Sequence, residues 1–118
     1  MYDILLKRKE YNKDGLLKFE GEYLYDKKRK GKDYIKGKLE YEGEYLFDRK
    51  YNGKGYDENG NIIYELINGN GKVKEYDERE RLIFDGEYLN GRRWNGKLRK
   101  YKFNGAILEE EYKNGEKI

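Results

Sequence analysis

FDGEYLNGRRWNGK, residues 84–97, has two close relatives earlier in the same chain: FEGEYLYDKKRKGK at 19–32 and YEGEYLFDRKYNGK at 41–54. Leu82, Phe84, Gly86 and Tyr88 would lie on one side of an extended segment, and Ile83, Asp85, Glu87 and Leu89 on the other. That period of two is the period of a strand, not of a helix. Leu17, Phe19, Gly21 and Tyr23 repeat the aromatic side, as do Leu39, Tyr41, Gly43 and Tyr45, with Glu20, Glu22, Glu42 and Glu44 opposite. Glycine inside a strand weakens it, so its recurrence between two aromatic positions marks Gly21, Gly43 and Gly86 as places where a ring or a neighbouring backbone comes close.

Aligned on the tyrosine of the motif, the copies stand at Tyr23, Tyr45, Tyr88 and Tyr112, separated by 22, 43 and 24 residues. The wide gap holds a degenerate unit over residues 65–84, introduced by YELINGNGK (64–72), with Leu66 at the glycine position and Asn68 at the tyrosine position. About five units then tile residues 1–118 as one repeat domain, each packing on its neighbours. A second, Lys- or Arg-bearing strand in each unit ends at Tyr11, Tyr34, Tyr56, Tyr76 or Tyr101. Asp14-Gly15, Asn59-Gly60 and Asn104-Gly105 are residue pairs suited to tight hairpin turns, and Lys36-Gly37 holds the same place. The sequence predicts an all-β, elongated, twisted, single-layer antiparallel meander of roughly ten short strands.

Composition narrows the chemistry. The chain has no His, Cys, Pro, Ser, Thr or Gln, so nucleophilic triads, disulfides and the usual zinc sites have no building blocks. Charged residues make up 43% and hydrophobic residues only 36%, a balance that would favour disorder without the 14 Tyr, four Phe and one Trp. Each ring can bury a large apolar body while keeping a polar tip wet. The aromatic residues must therefore take over the work of an aliphatic core, and a thin structure suits them. MYDILLKRKE is too short an apolar run for a signal peptide or membrane span, which predicts a soluble, cytoplasmic protein. From Met1 to Ile118 the chain reads as a stand-alone unit with no attached enzyme.

The alternating EGEYLNG-like and NGKGY-like segments resemble the MORN (membrane occupation and recognition nexus) repeats and their bacterial relatives over most of residues 7–118. The resemblance implies an elongated single-layer sheet whose packing positions are the steps Gly21-Tyr23, Gly43-Tyr45 and Gly86-Tyr88. It also implies an interaction, scaffold or lipid-associated module without a common active site.

Function has to come from the surface, because fold alone does not fix it. A meander brings the connections at one end of its strands to a common edge. Lys27, Lys28, Arg29, Arg49, Lys50, Tyr51, Arg92, Arg93 and Trp94 are the candidate partner-binding residues there, with Lys30 and the rings of Tyr25 and Phe47 nearby. Trp94, read as a turn residue beside Arg92 and Arg93, is the leading contact. The opposite hairpin tips carry Asp14, Asp57, Glu58, Asp77, Glu78 and Glu80, so a net charge of +3 conceals an edge-to-edge asymmetry. Lys and Glu alternating along strands read as solvated cross-strand pairs. A glycosidase-like use of the carboxylates is disfavoured because every copy carries them and nothing encloses a sugar. NGNGK (68–72) lacks the following helix that a phosphate-binding loop needs.

The sequence thus predicts a non-catalytic protein-binding module of an inhibitor or antitoxin type, with no cofactor and no metal. Its partner would be another protein such as a toxin or a nucleic-acid-handling enzyme, direct nucleic-acid binding being disfavoured. The alternatives are a peripheral binder of anionic phospholipid headgroups and a structural scaffold repeat.

Overall fold

Alternating side-chain character along the chain is realised as strands throughout. The computed structural model describes residues 4–118, so the first three residues of the expected domain lie outside it. Eleven strands follow in order: β1 (Leu5–Tyr11), β2 (Leu17–Leu24), β3 (Lys27–Ile35), β4 (Lys38–Leu46), β5 (Arg49–Tyr56), β6 (Ile62–Leu66), β7 (Gly71–Tyr76), β8 (Leu82–Leu89), β9 (Arg92–Tyr101), β10 (Ile107–Lys113) and β11 (Glu116–Lys117). Neighbours in sequence pair antiparallel, and among the described residues no helix occurs, so none could cross a membrane.

The expected uninterrupted sheet is corrected to two, β1 to β6 and β7 to β11. Between them only a single bridge, Ile67 to Asn70, joins β6 to β7. A row of residues runs across the strands: Gly21 pairs Gly31, Gly31 pairs Gly43, and Gly43 pairs Gly53. In the second sheet Gly86 pairs Gly96. At the junction the row holds Leu66, opposite Gly53, and Val73, opposite Gly86, both almost fully buried. Two branched side chains thus stand in the row where the flanking strands carry glycine. The same row ends on Tyr112 opposite Gly96, not on another glycine. Tyr112 faces a glycine across the ladder while keeping the place of Tyr23, Tyr45 and Tyr88 two residues before the turn, and its ring meets Phe84 edge-on at 6.0 Å.

Rings lie across the paired glycines, as their placement in the strands suggests. A Cβ on Gly21 would stand 2.9 Å from Phe19 Cζ, and one on Gly31 2.7 Å from the same atom. One on Gly43 would stand 2.5 Å from Gly53 Cα and 2.9 Å from the Tyr41 hydroxyl, closer still to the Asn52 carbonyl. Phe19, Tyr41 and Phe84 are consequently the most deeply buried rings, and Tyr23, Tyr45 and Tyr64 complete the aromatic face. Edge-to-face contacts link Phe19 to Tyr23 and Tyr45 with centroids 5.6 and 5.9 Å apart, and Tyr41 to Tyr45 at 5.4 Å. Gly43→Val should destabilise the fold by about 3 kcal/mol, since backbone atoms of β5 would have to move. Glu44→Val, on the exposed face, should change stability by less than about 0.5 kcal/mol, and paired thermal melts compare the two directly.

The strand connections divide into two kinds. Gly15, Gly60 and Gly105 adopt positive φ as the closing residues of longer turns at one edge, where Asn12 Oδ1 and Asp57 Oδ1 each accept two backbone N–H bonds. At the other edge both central residues are left-handed: Tyr25-Asp26, Phe47-Asp48, Asn68-Gly69, Asn90-Gly91 and Asn114-Gly115. These are the two-residue turns whose twist matches a hairpin. They also bond to one another. Asp48 accepts the N–H of Lys28, Asn52 that of Asn68, Asn70 that of Asn90 and Asn95 that of Asn114. The asparagines of Asn52-Gly53 and Asn95-Gly96 are thus brackets between units and not turns.

Candidate interaction surface

The turn-bearing edge inherits a bulge in several strand pairs, and the bulges decide which cations reach solvent. Strand alternation sends Lys28, Lys50 and Arg93 inward while Lys27, Arg29, Arg49 and Arg92 stay exposed. Tyr23 pairs Lys28, Tyr45 pairs Lys50 and Tyr88 pairs Arg93, so each inward cation stands beside the buried tyrosine of the preceding strand. Three of the nine residues expected to bind a partner therefore pack, partly buried, against the core.

Their interactions explain how a cation is tolerated there. Lys50 Nζ donates to both Glu40 oxygens at 3.0 and 2.9 Å and to the Tyr64 hydroxyl at 3.1 Å, and lies 4.8 Å from the Tyr41 ring centroid. Arg93 makes a bidentate pair with Glu75, both bonds 3.0 Å, with its guanidinium 5.1 Å from the Phe84 ring centroid. Lys28 Nζ stands 3.7 Å from Asp33 and 4.4 Å from the Phe19 ring centroid, while Tyr45 donates a short hydrogen bond to Asp33. Arg8 and Glu10 treat Tyr23 in the same way, the guanidinium over its ring and the carboxylate accepting its hydroxyl proton at 2.8 Å. Each unit that carries this arrangement consists of a cation over a ring and an acid holding a phenol.

The electrostatic consequences follow. Burial pulls the Lys50 ammonium down, and Glu40 with Asp33 more than offsets it, leaving the pKa above its ordinary value. Burial, acting before any charge, pushes the Tyr41 phenol up to about 12. Burial also raises Tyr45, reinforced by Asp33, Tyr64, reinforced by Glu40, and Tyr88, reinforced by Glu75.

Trp94 is not in a turn. It lies in β9, half-buried, with its carbonyl accepting the Gly115 N–H at 2.8 Å, and a Cβ on Gly115 would stand 2.8 Å from its ring. Tyr51 is likewise half-buried, and its carbonyl accepts the Gly69 N–H at 2.6 Å. The Trp94 ring packs on the Gly115 turn and the Tyr51 carbonyl anchors the Gly69 turn, while both residues stay partly exposed.

Two further rings of the same edge are more exposed. Tyr25 and Phe47 sit at the tips of their turns with φ of 50° and 51°, and are 50% and 68% exposed. Left-handed backbone is unfavourable for a residue carrying a Cβ, by roughly 1–2 kcal/mol, and rare for an aromatic one. The equivalent turns at Asn68-Gly69, Asn90-Gly91 and Asn114-Gly115 use the residues that the geometry favours. Leu46 is also exposed beside Phe47, and Lys27, Arg29 and Arg49 stand next to the two tips. The signal was present in the repeat alignment, since three turns carry Asn-Gly where two carry an aromatic residue and Asp.

At the opposite edge a shallow cavity of about 250 Å³ is lined by Ile35, Lys38, Leu39, Glu40, Asp57, Glu58, Asn59, Tyr76 and Glu80. Two of its acids are engaged within the fold. Glu40 holds Lys50, and Asp57 accepts the N–H groups of Asn61 and Asn59, which keep its carboxyl below the usual range. No protein family, characterised protein or solved structure matches the chain.

Proposed function

We propose that the protein is a non-catalytic, MORN-like repeat module of five hairpin units that binds another protein, of the inhibitor or antitoxin type, through the rim bearing Tyr25, Phe47, Lys27, Arg29, Arg49 and Arg92. The observation that supports this reading is the pair of exposed aromatic residues held left-handed at positions where the same chain elsewhere uses Asn-Gly. Backbone strain at an exposed ring is a reason to look for a contact made by that ring. Aromatic residues flanked by arginine are also the common composition of interface hot spots. The flanking cations suit an acidic partner surface. A second reading, attachment to anionic lipid headgroups, draws on the same feature, because rings at turn tips beside Lys27 and Arg49 could enter an interface while the cations meet phosphate.

Capture from the native host with a photo-crosslinking residue at position 47, and separately at position 58 on the opposite edge, tests the reading. A stoichiometric protein crosslinked at 47 and not at 58 is the expected result. Phe47→Asn should raise stability by about 1 kcal/mol, by relieving the turn, while weakening that partner's binding by about 2 kcal/mol. Calorimetric titration and a thermal melt of one variant measure both. Equal affinity of Phe47→Asn and wild type would remove this rim from the interface. Sedimentation with vesicles containing anionic lipid, lost in neutral vesicles and at high salt, would select the lipid reading instead.

A further inference from the structure

The exposed face of both sheets carries an ordered charge pattern. By strand register Lys7 and Lys9 of β1 oppose Glu22 and Glu20 of β2, which oppose Lys30 and Lys32 of β3, which oppose Glu44 and Glu42 of β4. Glu42 opposes Lys54, and Lys54 opposes Glu65. The second sheet continues with Lys72 and Lys74 against Glu87 and Asp85, Asp85 against Lys97, and Lys97 and Arg99 against Glu111 and Glu109 of β10. Strand by strand the sign alternates, so the pattern begins on a basic strand and ends on an acidic one.

Both terminal strands have an open side. Among the described residues β1 pairs only with β2, and β10 beyond β9 meets only the two-residue β11, which covers Tyr112 and Lys113, and Ile118, whose N–H donates to the Glu111 carbonyl at 3.0 Å. An open strand edge is a template for another strand. Like edges repel here, basic against basic and acidic against acidic, whereas unlike edges continue the alternation. We propose that copies of this chain associate head to tail, β1 of one copy adding antiparallel to β10 of the next and displacing β11.

With Arg8 opposite Glu110, Lys7 meets Glu111 and Lys9 meets Glu109, repeating the Lys–Glu register that β1 already makes with β2. Leu6 then meets Tyr112, and Tyr11 meets Ile107, bringing the exposed Leu6, Tyr11 and Ile107 into contacts. Arg8 arrives where Lys117 of β11 stands 3.8 Å from Glu110, so β11 occupies the place with the same charge. The contact is heterologous, and copies joined in this way form open chains and not closed dimers.

Sedimentation velocity of the full chain at low salt, over a range of concentrations, is the test. The weight-average mass should climb without a plateau at two copies, with a dissociation constant on the order of 100 µM for so small an interface. K7Q/K9Q and E109Q/E111Q should each weaken association by about tenfold, and removal of residues 116–118 should strengthen it. K7E/K9E and E109K/E111K, each silent alone, should associate when mixed. A chain that stays monomeric to about 1 mM, or a dimer indifferent to both glutamine variants, overturns the proposal. The glutamine variants keep the test decisive even where a reversed charge disturbs folding.

Discussion

Stability should collapse as the pH rises above about 10, with tyrosine ionisation and loss of β structure occurring together. Tyr41, Tyr45, Tyr64 and Tyr88 all hold their protons more tightly in the fold than in the unfolded chain, first because burial penalises the phenolate and, for Tyr45, Tyr64 and Tyr88, because Asp33, Glu40 and Glu75 lie beside them, while Lys50 partly opposes the rise at Tyr41. A group whose pKa is raised on folding contributes stability that is fully present below its unfolded value, near 10 for tyrosine, and is lost as pH climbs towards the folded value. Between those limits the unfolded chain binds fewer protons than the native one, so stability falls with pH. Four such groups give a slope on the order of 5 kcal/mol per pH unit, enough to consume the whole stability of a small domain within one to two units. Lys50, also raised, acts in the same direction. Tyrosinate absorbance and circular dichroism recorded through one alkaline titration check this. Phenols ionising near pH 10 while the strands persist would mean that these rings are open to water.

The second large effect is expected at Glu40, whose two oxygens both bind the Lys50 ammonium in the interior of the first sheet. Removing one member of a buried pair leaves the other charge uncompensated, at a cost of about 3–5 kcal/mol, whereas replacing both by apolar groups is often neutral. Glu40→Ala should therefore destabilise strongly, and Lys50→Met added to it should recover most of the loss. Denaturant unfolding of the single and double variants closes the cycle. A single-variant cost below about 1 kcal/mol would show that the ammonium finds water when its acid is gone. Arg49→Ala, one residue away and exposed, should leave stability within about 0.5 kcal/mol of wild type.

Lys50 and Arg49 illustrate where reading the sequence stopped. Both stand in a run of cations after a turn, and in one dimension each looks like a surface charge. Which of them turns inward depends on the bulge opposite Glu44, where β5 spends an extra residue between Gly53 and Lys50. A bulge is set by pairing with the neighbouring strand and leaves no residue signature of its own. The same is true of Trp94, whose carbonyl and ring become seats for the Gly115 turn only after β9 and β10 have been folded against each other. The inward acids leave no signal in the sequence for a related reason: Glu40, Asp33 and Glu75 are bound to cations ten, five and eighteen residues away.

The strand content, the antiparallel order, the aromatic side of each strand and the packing role of Gly21, Gly43 and Gly86 were determined by the sequence itself, because they follow from a period of two and from what a glycine between rings can accommodate. Those are properties of neighbours along one strand, and repetition states them three times over. The break between the sheets and the inward turn of Lys28, Lys50 and Arg93 were decided only by the tertiary structure. Each depends on register between strands, where one residue more or less reverses the face a side chain occupies.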